Sequence, residues 1–172
     1  EHVGALNEPA RTGRGGNALD YLGHSLCQRP AHLPDGPSLP IASLVPKRSS
    51  IILCGDFMHP PAAVDMSLNL LATQHTQGLV VQILDPAEVE LPFVGRAIFR
   101  PLDDSREFPI ANVPAIRKAY TDRLNDHIAA IRNIARRHRF GHVLYVTRDD
   151  PRAALNAAWQ ILAPRMHGQG GF

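Results

Sequence analysis

Apolar positions in this chain fall into short continuous runs separated by stretches of helical spacing. Ser50-Ile51-Ile52-Leu53-Cys54-Gly55-Asp56-Phe57 is one run, and Leu79-Val80-Val81-Gln82-Ile83-Leu84-Asp85-Pro86 is another; each ends in an acidic turn. Runs that are apolar on both faces suit parallel strands covered by helices. Between them, Pro60-Pro61 opens a helix, because proline fits the first helical turn. Val64, Leu68 and Leu71 share one face of that helix, and Gly78 reads as its C-cap. Strand, helix and strand from Ser50 to Leu84 have the length of a βαβ crossover.

The same reading extends in both directions. Val3 to Leu6 forms a weak strand, Arg11 to Asn17 a basic glycine-rich turn, and Leu19, Leu22 and Leu26 one face of a helix ending at Arg29-Pro30. Ala31 to Pro46 is a proline-rich connection. After Leu84, Phe93–Phe99 and Phe108–Ile110 are expected as short edge strands. Asn112 caps a long helix with Pro114 in its first turn and an apolar stripe of Ile116, Tyr120, Leu124, Ile128, Ile131 and Ala135. His142–Thr147 is the next strand. Asp149 or Asp150 then caps a helix that begins at Pro151 and carries Leu155, Trp159 and Leu162. The fold class is α/β: a doubly wound, mostly parallel, Rossmann-like sheet with helices on both faces. Ligands in such sheets bind beyond the carboxyl ends of the strands, where Asp56 and Asp85 lie.

The 172 residues fit one domain, residues 1–165, with a flexible glycine-rich tail at 166–172. A net charge of +2 gives no argument for nucleic acid or an anionic membrane as partner. No run reaches the roughly 18 apolar residues of a membrane span. Cys27 and Cys54 have no CxxC spacing and read as reduced core residues, which suits a cytoplasmic location. The chain opens on Glu1 and runs straight into a strand, so an N-terminal part is expected to precede it.

Several residues are candidates for chemistry. Asp56 follows a buried strand after Gly55, where a carboxylate could hold a divalent cation, although Asp is also common in turns and caps. Asp85 before Pro86, with Glu88 behind it, reads as an Asx-type turn more readily than as a catalyst. Together Asp56 and Asp85 would suit a metal-assisted phosphohydrolase. The segment Thr12–Asn17 is neither GxGxxG nor a P-loop. Arg132, Arg136, Arg137, His138 and Arg139 crowd the end of the long helix, where cations suit the helix dipole. A nucleic-acid patch would interleave aromatics, and only Phe140 is near. The histidines show no HxH or HExxH spacing, and there is no GxSxG elbow.

The segments RSSIILCGDF, LVVQILDPAEVELPFVGRAIF and HVLYVTRDDPRAALNAAW resemble the C-terminal part of a bacterial family, domain of unknown function fifty-eight, over about Val3 to Leu162. LDPAEVELPFVGR is the most specific phrase. That family is similar to the von Willebrand factor A domain. The resemblance implies a non-enzymatic adaptor or assembly module that acts with a MoxR-type AAA+ ATPase. Related A domains hold a cation through Asp-x-Ser-x-Ser, a threonine from a second loop and an aspartate from a third. By resemblance Asp56 takes the third role, and Asn17 stands roughly at the threonine position. The Asp-x-Ser-x-Ser element is absent, along with the central strand expected between Val3–Leu6 and Ile51–Cys54. Mg²⁺ is thus an expectation for a complete protein and not for this piece, which is expected to be poorly stable alone.

Overall fold

The computed structural model describes residues 39–99 and 107–167. The chain divides into two units, residues 1–46 and 47–172. Described residues of the first form one 3-10 turn, Ala42–Leu44, closed by the Val45 N–H donating to the Ala42 carbonyl at 3.1 Å. The strand expected at Val3–Leu6, the Thr12–Asn17 turn, the helix of Leu19–Leu26 and Cys27 lie outside the described residues.

In the second unit, β1 (Ser50–Gly55), β2 (Gln77–Leu84) and β5 (Gly141–Val146) form a parallel sheet with β2 in the middle. β1 pairs with β2 from Ser50↔Gln77 to Gly55↔Gln82, and β2 with β5 from Leu79↔Gly141 to Leu84↔Val146. α1 (Pro61–Thr73) connects β1 to β2. A short α2 (Pro86–Glu90), an antiparallel hairpin of β3 (Ala97–Phe99) and β4 (Phe108–Ile110), and the long α3 (Val113–Arg137) connect β2 to β5. α4 (Pro151–His167) follows. The α/β class expected from the strand pattern is what the chain adopts.

Alternation along the strands decides which helix covers which face. Leu53, Val80, Gln82 and Leu84 share one face and are buried. Val64, Leu68 and Leu71 of α1 and Leu124, Ile128, Ile131, Ile134 and Ala135 of α3 are buried with them; Leu84, Leu124 and Ile128 form one cluster. The opposite face carries Leu79 and Val143, and α4 sits there. A Cβ added to Gly141 would overlap the Ile161 side chain and come within 2.8 Å of Leu79 Cδ1. Helices therefore lie on both faces.

Four expectations need correction. Gly78 is not a helix cap. It sits inside β2 opposite Ile51, where a Cβ would overlap the Ile51 carbonyl oxygen. α1 ends three residues earlier through His75, whose φ is +59°. The His75 N–H donates to Ala72 O (2.9 Å) and the Thr76 N–H to Leu71 O (3.2 Å), a Schellman motif without glycine. Second, Cys54 is exposed, not core, and Ile52 beside it is 56% exposed. β1 is an edge strand among the described residues, and α4 packs chiefly on β2 and β5. Third, Leu155 and Trp159 point away from the sheet, at 68% and 62% exposed. α4 turns Ala154, Ala157, Ala158 and Ile161 inward instead, with Ile161 lying directly over Gly141, where a side chain on the strand would block it. Fourth, Ile116 is 37% exposed and not buried, so the buried stripe of α3 starts at Val113 and resumes at Leu124. Of the residues expected in the tail, Met166 and His167 belong to α4, and 168–172 lie outside the described residues.

Candidate functional site at the strand ends

The carboxyl ends of β1, β2 and β5 form one crest, carrying Asp56, Asp85 and Thr147. At the end of β1 the chain makes a tight turn. Asp56 Oδ1 accepts the Met58 N–H at 3.0 Å, an Asx turn. Phe57 sits in the left-handed region with φ +53°, yet its ring is almost fully buried at 5% exposure. A bulky residue with positive φ is a genuine outlier.

Two neighbouring elements hold this turn by its carbonyls. Gln82 Nε2, from the middle of β2, donates to the Asp56 carbonyl at 3.0 Å. His127 Nε2, from α3, lies 2.8 Å from the Phe57 carbonyl and must donate, since a carbonyl only accepts. Gln82 Oε1 in turn accepts from His142 Nε2 at 3.2 Å. With the Gln82 amide in this orientation, His142 carries its proton on Nε2. Burial, and then the nearby Arg132 guanidinium, push the His142 imidazole down to about 4. Gln82 is fully buried and His142 partly so, and both are partnered as buried polar groups require.

Asp85 is a helix cap. Its Oδ1 accepts the Ala87 N–H at 2.7 Å, and Glu88 Oε2 accepts the Asp85 N–H at 2.8 Å, a complete capping box on α2. Thr147 Oγ1 lies 3.5 Å from the other Asp85 oxygen. The register puts Asp56 level with Ile83, so Asp85 stands two residues higher, about 8 Å away between Cα atoms by strand spacing. The two carboxylates are thus each committed to a local backbone turn and do not converge, which disfavours the phosphohydrolase arrangement.

The basic cluster at the end of α3 also has local partners. Arg137 Nη1 and His138 Nε2 reach Asp65 Oδ1 of α1 at 3.1 and 2.8 Å. The His138 hydrogen bond, followed by the Arg137 charge, holds the Asp65 carboxyl below the usual carboxylate value. Arg139, with φ +64°, closes the helix as Phe140 N–H donates to Ala135 O at 2.8 Å.

Of the two residues expected at a metal site, Asp56 stands on the crest and Asn17 lies outside the described residues. Among the described residues, no group of three or more His, Cys, Asp or Glu side chains could hold a metal ion, so the part of the site in view does not by itself fit one. The residues that sequence reading passed over are Gln82, His127 and His142. The available signal was a lone glutamine inside an otherwise apolar strand.

A family model described as "Protein of unknown function DUF58" matches residues 8–130, more than two thirds of the chain. No curated protein and no solved structure matches it.

Proposed function

The chain belongs to the family described as Protein of unknown function DUF58, and from that premise we propose that it is a non-enzymatic protein-interaction module of the von Willebrand factor A-like kind. It binds a protein partner over the carboxyl ends of its parallel strands. In this reading the partner is a MoxR-type AAA+ ATPase in a bacterial cytoplasm, and the chain corresponds to the C-terminal portion of the family. None of its described helices is long and apolar enough to cross a membrane, and no membrane segment enters this reading.

The observation that carries the proposal is the state of Asp56. It is the carboxylate at the crest position where open α/β sheets take ligands. Its Oδ1 closes the turn, while Oδ2 has no hydrogen-bond partner among the described residues. That oxygen is free to meet a donor or a cation from outside. Mg²⁺ belongs to this reading only as an ion of a complete protein, with Asp56 as one of its ligands.

The test is capture of a purified MoxR-type ATPase by the protein in its longest expressible form, with and without Mg²⁺. Capture is expected, and Asp56→Ala is expected to weaken it at least tenfold. Absence of capture under both conditions would remove the proposal. A turnover of generic phosphate esters that Asp56→Ala abolishes would favour the hydrolase instead.

A further inference from the structure

The Asp56 turn is unusual in how it is held. Its backbone is fixed at two successive carbonyls by side chains from two other elements: Gln82 of β2 on the Asp56 carbonyl and His127 of α3 on the Phe57 carbonyl. The intervening residue is a buried phenylalanine in a left-handed conformation. Such a conformation is strained and persists only where surroundings over-determine it. Left alone, the turn would relax to negative φ and swing the Asp56 side chain away from the Met58 amide.

Three observations argue that the holding groups are there for the turn. Gln82 is fully buried in the central strand, flanked by apolar residues. A leucine would satisfy packing there without any polar requirement. Its amide is polarised in one direction, with Nε2 spent on the turn and Oε1 satisfied from behind by His142. His127 sits on the α3 face next to buried Leu124 and Ile128, and it too spends its donor on the turn.

We propose that Gln82 and His127 are positioning residues that lock the strained Phe57 turn and so hold the Asp56 carboxylate in one orientation at the crest. This rests on the reading of Asp56 as a binding residue. The clamp pre-organises the site, so a partner meeting Asp56 does not have to order the turn. His142 supports the clamp indirectly by fixing the Gln82 amide.

The experiment is amide hydrogen exchange by NMR on the whole chain, read at Met58, whose N–H is held by Asp56 Oδ1, and at Leu79–Leu84 of β2 as an internal reference. Gln82→Met and His127→Phe are each expected to speed Met58 exchange at least tenfold while the β2 amides keep their rates. His127→Gln, which retains a donor, is expected to recover most of the protection. Unchanged Met58 exchange in both variants, or a rise that merely tracks the β2 amides, would overturn the proposal. If Gln82→Met does not fold, His127→Phe, on the helix surface side of the clamp, decides the matter alone. Asp56→Asn separates the two claims. If ATPase capture survives Asp56→Asn while the clamp variants still loosen Met58, the binding reading falls and the positioning result stands.

Discussion

His142 ties the stability of this fold to pH in a window that can be worked out. Its imidazole is pushed from an ordinary 6.5 to about 4 by burial and by Arg132 of α3, with Gln82 of β2 as its hydrogen-bond partner. Above 6.5 the ring is neutral in folded and unfolded chains alike, and its contribution to stability is fully present. Between 6.5 and about 4 the unfolded chain takes up a proton that the folded chain refuses, so stability falls as pH falls; below about 4 both bind it and the loss is complete. At about 1.4 kcal/mol per pH unit this gap amounts to at most about 3 kcal/mol, and screening of a ring that is only partly buried brings it to about 2 kcal/mol. His142→Gln keeps an N–H for Gln82 Oε1 and removes the titration. Urea unfolding at pH 7, 6, 5 and 4 reads the effect. With a urea slope of about 2 kcal/mol/M, the wild-type midpoint is expected to drop about 1 M further than that of His142→Gln across the series. Midpoints that run parallel for the two proteins would refute the reasoning, as would a wild-type chain that gains stability relative to the variant on acidification.

Gly78→Ala is expected to cost about 3 kcal/mol or more in urea unfolding, because the new methyl meets the backbone of Ile51 and neither strand can yield without losing register. His75→Gly is expected to add about 0.5–1 kcal/mol by relieving a side chain from the left-handed end of α1, readable as a rise in melting temperature. Asp65→Asn is expected to lower stability at neutral pH. The difference from wild type should close as the pH falls below 3.8, since a carboxyl held low by His138 and Arg137 contributes above its unfolded value and loses that contribution on protonation. Trp159→Ala is expected to change stability by less than about 0.5 kcal/mol, where a core tryptophan would cost several.

Sequence periodicity located the three strands of the described sheet and the three long helices, because burial on two sides forces continuous apolar runs and a helical stripe; the short α2 read only as a turn. It erred where the third dimension intervenes. The pattern cannot say that β1 is an edge strand of the described sheet, so Cys54 and Ile52 read as core although both are exposed. It cannot say that α4 approaches over a glycine, so the alanines that pack looked inert and Trp159 looked buried. Helix ends built on His75 and Arg139 in place of glycine are invisible to a rule that looks for glycine, and Gly78 drew the cap away from its true position. At the crest, Asp56 and Asp85 look alike as strand-end aspartates. Only the capping box around Asp85 distinguishes them. Gln82 was in plain view as a polar interruption, but its partners on the β1 turn and on β5 come from distant segments and required the register.

Phe57 places two demands on a single position that no one residue type meets. The backbone there favours glycine or asparagine, while the space beneath it favours a large ring. A lineage can resolve such a conflict only by changing two positions together. Where a relative carries glycine at the position of Phe57, the backbone no longer resists the turn, and the histidine at the position of His127 loses its reason to persist. Where the ring is kept, a donor should be kept with it. Among related sequences these two positions, 70 residues apart in the chain, are therefore expected to drift as a pair, and their joint history would record the strain that a single structure shows only as an angle.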